Sequence, residues 1–287
     1  MNTQVDIKAV LKSLRIRKNH LRKKWFESKP FHYLCIDNFL PIQMADNLLR
    51  CYPNPQLDGW IETNYTTQIN KQSCESGFPE PIDEFFSLTA MPEFTRLISE
   101  ITDINNLIPD PNQIGGGMHQ ILPGGFLDVH IDFNFHPELK LHRQLNLLLY
   151  LNKDWKREYE GCLELWDMKN NKQIENIAPV FNRAILFNTN QISYHGHPKP
   201  FKAPTPITRK SLAVYYYTKE RDDEFSDATE HNTIYKNTSG LQGVIKTLFS
   251  TLHTFSDRLR KKNVTYIFKS LLKKCFRKIK GLPPENQ

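Results

Sequence analysis

The chain has 287 residues, 39% of them hydrophobic and 11% aromatic, enough for one substantial domain and too apolar for wholesale disorder. Its five cysteines are odd in number and scattered, without a C-x-x-C pair, which argues against a disulfide framework or a zinc motif and reads as ordinary reduced thiols. No apolar run approaches the roughly 20 residues that cross a bilayer, and the charged first 25 residues lack a signal-peptide core, so a cytoplasmic protein is the expectation.

Along the chain, Ile7, Val10, Leu11, Leu14, Leu21 and Trp25 fall near helical spacing, which predicts a basic amphipathic helix within residues 1–28. A strand-like run follows from Phe31 to Asp37, and Pro41 opens a helix reaching about Arg50. Residues 53–81, rich in Pro, Asn, Gly and Ser, read as loop, with two short helices around 81–89 and 92–103. From residue 113 short apolar runs alternate with turn signals, among them Pro123-Gly124-Gly125. The runs predict strands at 117–122, 126–133, 144–151, 162–167, 172–177, 183–188 and 209–218, a pattern of an antiparallel sandwich or barrel.

After Thr218 the chain becomes polar, and residues 243–280 return to a basic helical pattern. The overall charge of +7 conceals this split. Residues 1–24 hold eight basic side chains against Asp6, and residues 243–287 hold eleven against Asp257 and Glu285, which leaves the middle at −9. The basic ends suit either contact with an anionic surface (lipid or nucleic acid) or solvated helix faces packed on the body.

The chemistry centres on Phe126-Leu-Asp-Val-His130-Ile-Asp132. Residues i and i+2 of a strand share a face with alpha carbons about 6.5–7 Å apart, so His130 and Asp132 can bind one ion. A second histidine would complete a two-histidine, one-carboxylate set that leaves coordination positions open and suits Fe(II). Ser193-Tyr-His195-Gly-His197 offers two candidates. Fourteen residues beyond His195, Arg209-Lys-Ser211 opens an apolar strand. Arg209 and Ser211 share a face there, a guanidinium beside a hydroxyl that suits a carboxylate.

With these residues in order, the chain resembles the 2-oxoglutarate/Fe(II)-dependent oxygenase superfamily, and its prolyl-4-hydroxylase-like branch in particular. The resemblance runs from about 113 to 219. It is carried by Gly124 to Asp132, Arg143 to Trp155, Glu160 to Trp166, Asn182 to Phe187, Ser193 to Pro198 and Arg209 to Tyr217. It implies a mainly β fold with flanking helices, the double-stranded β-helix or jelly roll, to which the charge pattern adds basic helical extensions at both ends. By the resemblance, 29–222 is the oxygenase domain and 223–287 a linker and basic extension.

The resemblance also implies His130, Asp132 and His195 as iron ligands, with His195 preferred to His197. It implies Arg209 as the anchor of the cosubstrate's far carboxylate, Tyr150 as a further cosubstrate contact and Ser211 beside it. Fe(II), 2-oxoglutarate and O2 are expected partners, ascorbate a supporting reductant, and the substrate a prolyl residue, amino acid or small metabolite. Asp132 excludes the ligand swap of related halogenases. Glu160 departs from the family's Gly-Gly pair at a rim loop. His136 and His142, expected in a loop after the metal strand, are candidate substrate contacts. A non-catalytic cupin-like binding protein and a nucleic-acid demethylase are the alternatives. The second lacks its extra arginine, since that position is Tyr215.

Overall fold

The computed structural model describes residues 7–221, 223–225 and 228–236. The expected basic helix at 243–280, and Cys275 with it, lie outside the described residues. The chain opens with α1 (Ile7–Glu27) and β1 (Tyr33–Ile36), then α2 (Ile42–Cys51). A hairpin of β2 (Ile61–Tyr65) and β3 (Gln68–Cys74) leads to α3 (Glu80–Ala90) and α4 (Pro92–Thr102). The remaining strands are β4 (Ile108–Pro109), β5 (Gly117–Ile131), β6 (His142–Tyr150), β7 (Leu163–Asp167), β8 (Lys172–Ile177), β9 (Arg183–Asn188), β10 (Tyr194–His197), β11 (Arg209–Thr218) and β12 (Ile234–Tyr235).

The strands join in the order β1-β9-β6-β11-β5-β10-β7-β8, with every pairing antiparallel. This is the double-stranded β-helix architecture. Alternation along β11 and β6 separates its two faces, as a period of two requires. Leu212, Val214 and Tyr216 of β11, with Leu145, Leu147 and Leu149 of β6, turn toward the helices and join one apolar core with Leu14, Trp25, Phe85 and Phe94. Each fully buried side chain of this kind stabilises the fold by about 1.5–3 kcal/mol. The other parity, Ser211 and Tyr215 on β11 with Asn146, Leu148 and Tyr150 on β6, lines a cavity inside the roll.

Helix α1 buries Val10, Leu11, Leu14, Leu21 and Trp25 in that same core. Its basic face is tied to α4 by Lys18–Glu100 at 2.7 Å and Arg22–Asp103 at 3.2 Å. No helix among the described residues is long and apolar enough to cross a membrane.

Two expectations of local structure are corrected. The stretch 53–81 is not all loop, because it contains the β2–β3 hairpin, with β3 paired along β5. Pro123-Gly124-Gly125 is not a turn between two strands but a bend within the single strand β5. Gly124 takes φ +81°, and a Cβ on Gly125 would meet Ile121 Cγ2 at 2.4 Å and Ile69 O at 2.9 Å. The backbone groups released at the bend are taken up by Phe201, whose O accepts from Gly124 N at 2.7 Å and whose N donates to Gly125 O at 2.8 Å. The bend carries β5 from its pairing with β11 to its pairing with β10.

Candidate metal centre

His130 lies near the end of β5, directly opposite His195 on β10, and Asp132 follows one residue past the end of β5. Each imidazole is oriented by its own backbone: His130 Nδ1 lies 2.7 Å from Asp128 O, and His195 Nδ1 lies 2.9 Å from Ser193 O. A carbonyl oxygen only accepts, so Nδ1 carries a proton in both rings and Nε2 is the atom each ring turns toward Asp132. Those two Nε2 atoms stand 3.5 Å from Asp132 Oδ1 and Oδ2 respectively. The three residues offer ligand atoms within 4.8 Å of one another, and they are the group among the described residues that can hold a metal ion. Two imidazoles and one carboxylate fit Fe(II) with positions left for further ligands.

Electrostatics favour the charge states such a site needs. Burial pushes the Asp132 carboxyl up, but Arg143 and the two histidines outweigh it and hold the group well below the usual carboxylate range. Burial lowers the His195 pKa to about 4, so the ring is neutral at physiological pH. Arg143 Nη2 lies 3.2 Å from Asp132 Oδ2, and Asn146 Nδ2 donates to the same oxygen at 2.7 Å.

These residues line a cavity of about 260 Å³ that also includes Tyr150, Arg209 and Ser211. The buried Arg209 donates from Nε to Gly161 O at 2.7 Å and from Nη2 to Tyr150 Oη at 3.2 Å, with its guanidinium 4.9 Å from the Tyr150 ring. Register sets Ser211 opposite Tyr150 on one side and His119 on the other. Arg209 has no carboxylate partner among the described residues, and a buried guanidinium without one is suited to an anionic ligand.

The Gly161 carbonyl is delivered by an unusual turn. Glu160 adopts φ 55°, ψ −152°, a region that glycine occupies readily and other residues rarely do, which gives the departure from the Gly-Gly pair a structural consequence. His197 lines the cavity but offers no atom to the three-residue cluster. His136 is fully buried with Nε2 3.3 Å from Asp110 Oδ2, and its Nδ1 accepts from Glu138 N and Leu139 N, so it faces no substrate. His142 belongs to β6 and lines a separate small pocket.

Sequence reasoning missed four residues at this site. Arg143 and Asn146 are held on the cavity face by β6, and a register shift between Tyr216 and Tyr217 of β11 brings both to one side. The signal available was Asn146 as the polar break in an otherwise apolar run. Lys71 lay inside the stretch read as loop. Tyr235 reaches the site from β12, its ring 5.3 Å from His130, and leaves no local signal at all.

Residues 116–217 match the family model described as the 2OG-Fe(II) oxygenase superfamily. Among curated proteins, none matches the chain. Of the solved structures, a prolyl 4-hydroxylase from Phytophthora capsici shares 17% identity at a TM-score of 0.52, covering 88% of this chain and 77% of its own. A prolyl-4-hydroxylase from Pseudomonas putida shares 17% identity at a TM-score of 0.49, covering 69% of this chain and 98% of its own. HygX from Streptomyces hygroscopicus, solved with nickel and 2-oxoglutarate bound, shares 12% at a TM-score of 0.48, covering 75% and 96%.

Proposed function

Because this chain belongs, through residues 116–217, to the 2OG-Fe(II) oxygenase superfamily, and is a 2-oxoglutarate-dependent oxygenase that uses Fe(II), we propose that His130, Asp132 and His195 hold the metal and that Arg209, with Tyr150 and Ser211, holds the cosubstrate. The observation that carries the first assignment is the pair of imidazoles pinned through Nδ1 with both Nε2 atoms turned to one carboxylate. When bound, Fe(II) and 2-oxoglutarate supply the oxidising chemistry, by which O2 converts a substrate C–H to C–OH while the cosubstrate becomes succinate and CO2.

The protein's part is placement. Arg143 and Asn146 keep Asp132 ionised and turned inward. Arg209 pairs with the carboxylate of 2-oxoglutarate farthest from the metal, its guanidinium pre-aimed by Gly161 O and Tyr150. Leu148, Leu163 and Phe133 supply apolar wall that keeps bulk water from the reacting end.

We assign the activity to hydroxylation of a prolyl residue, amino acid or small metabolite, supported by an ascorbate-type reductant, in the cytoplasm. The oxygenase domain in this reading is 29–222, with β12 from the following extension added at its rim. A contact of the basic ends with an anionic surface is part of the same proposal. The deciding experiment is succinate release from a panel of candidate substrates with Fe(II) and 2-oxoglutarate, followed by product mass. Cosubstrate-independent ligand binding with no succinate would favour the cupin-like alternative instead.

A further inference from the structure

Lys71 belongs to β3, the strand hidden in the stretch without apolar alternation. In a regular strand Gln68 and Lys71 would face opposite ways. Asn70 between them has φ 52°, in the left-handed region, and this breaks the alternation so that both side chains line the cavity. The break is opposite the bend of β5, where Asn70 Nδ2 donates to Pro123 O at 3.0 Å. Below the break, Lys71 pairs with Ile121, which in turn pairs with Arg209. The two residues are therefore in one row, two strands apart, with alpha carbons about 10 Å from each other.

Arg209 is drawn away from Lys71, toward Gly161 and Tyr150. Arg143 is engaged by Asp132 and Asn146 and stacked on Tyr215 at 3.5 Å. Lys71 has no ion-pair partner among the described residues; enclosure in the cavity pushes its pKa down, and Asp132 and Glu75 only partly oppose that. Of the cavity-lining side chains three are cationic and Asp132 alone is anionic. A divalent metal and a dianionic cosubstrate cancel each other, so occupancy by both leaves the charge of the half-buried Lys71 uncompensated at the cavity wall. A second polar group faces the same space: His119 Nε2 is buried without a hydrogen-bond partner, and His119 and Lys71 line one cavity.

We propose that Lys71, assisted by His119, binds an anionic group of the primary substrate, so that the substrate is a small molecule carrying a carboxylate or phosphate rather than a neutral peptide segment. The inference rests on the metal and cosubstrate assignments above and adds the substrate class to them.

The test uses the full chain with Mn(II) in place of Fe(II) and saturating 2-oxoglutarate, and reads paramagnetic relaxation of the methyl protons of acetate and of methylphosphonate. Bound beside Lys71, either probe is close enough to the metal for strong relaxation. Lys71→Met should cut that relaxation roughly tenfold or more, as expected when an anion in a cavity loses its cationic partner, while Lys71→Arg retains most of it. Relaxation of the 2-oxoglutarate protons should be unchanged in both variants, which also reports that they are folded. A preference of one probe over the other separates carboxylate from phosphate recognition. Probe relaxation that survives Lys71→Met, or is absent from the wild type while 2-oxoglutarate is relaxed, overturns the proposal. Absence of 2-oxoglutarate relaxation in the wild type overturns the site assignment beneath it as well.

Discussion

Arg143 and Asp132 form an ion pair inside the cavity, Nη2 to Oδ2 at 3.2 Å, with the arginine side chain 1% exposed and the carboxylate 12%. Asn146 ties the pair together, donating to Asp132 Oδ2 while its own Oδ1 accepts from Arg143 Nε and Nη2 at 2.9 and 2.8 Å. The carboxylate assigned to the metal is thus already oriented and charged by its neighbours. Arg143→Met should weaken Fe(II) binding by roughly 10–100-fold, the usual cost of losing a group that orients a ligand. It should also shift the pH midpoint of metal binding upward, because Asp132 then titrates higher. Metal titrations at several pH values check both effects, and an unchanged midpoint would show that the histidines alone keep Asp132 ionised.

The two histidines of β10 should separate cleanly. His195→Ala removes an Nε2 that faces Asp132 and should abolish both stoichiometric Fe(II) binding and succinate formation. His197→Ala should leave metal binding intact, since His197 is outside the three-residue cluster. Asp132→Ala should behave as His195→Ala does. Equal loss of iron in both histidine variants would contradict the assignment.

Cosubstrate binding should be separable from metal binding at Arg209. Truncating one partner of a desolvated charge pair costs about 2–5 kcal/mol, so Arg209→Ala should raise the 2-oxoglutarate requirement by roughly 30-fold or more. Fe(II) affinity measured without cosubstrate should hold. Arg209→Lys should recover only part of the loss, because an ammonium keeps the charge but not the planar fork. Tyr150→Phe removes one charge-assisted hydrogen bond from the guanidinium and should cost about 1.5–3 kcal/mol, roughly 10–100-fold. A 2-oxoglutarate titration unaltered by Arg209→Ala would point to another cation.

His195 makes the metal-free protein acid-sensitive. Burial lowers its pKa to about 4, while the unfolded chain takes up the same proton near the ordinary histidine value. Between those two values the unfolded state binds more protons, so stability rises with pH across the window and falls as the solution is acidified. The contribution of this one ring is at most about 3 kcal/mol. Denaturant midpoints of the metal-free chain at pH 7 and pH 5 measure it. His195→Asn should flatten that dependence, and a slope identical to wild type would assign the acid sensitivity elsewhere.

Glu160 offers a gain of stability. Its φ of 55° with ψ of −152° costs a residue with a Cβ about 1–3 kcal/mol, which glycine does not incur. Against this stands only the loose pair with Lys199 at 3.7 Å, half exposed and worth a few tenths of that. Glu160→Gly should therefore raise the thermal midpoint by several degrees and preserve the Gly161 carbonyl that receives Arg209. A lowered midpoint would mean that glycine's greater freedom in the unfolded chain outweighs the relief.

By itself the sequence determined whatever depends on strand period and on residue type. The two-residue spacing put His130 and Asp132 on one face, and the same spacing put Arg209 and Ser211 inward while Leu212, Val214 and Tyr216 met the helices. The apolar runs and their turn signals carried most strand positions, and the proline-led helices α2 and α4 were legible from their first residues. Other features depended on which distant strands meet. The β2–β3 hairpin had no apolar alternation to read, because Gln68 and Lys71 of β3 line a polar cavity rather than a core. Pro123-Gly124-Gly125 has the composition of a turn, and only pairing on both sides keeps it within one strand. Arg143 and Lys71 reach the cavity through a register shift and a left-handed residue, and Tyr235 arrives from a segment more than 100 residues after His130. Local sterics set the period of a strand, but its register and its partners are chosen by closing the whole roll, and that choice decided which charges share the cavity.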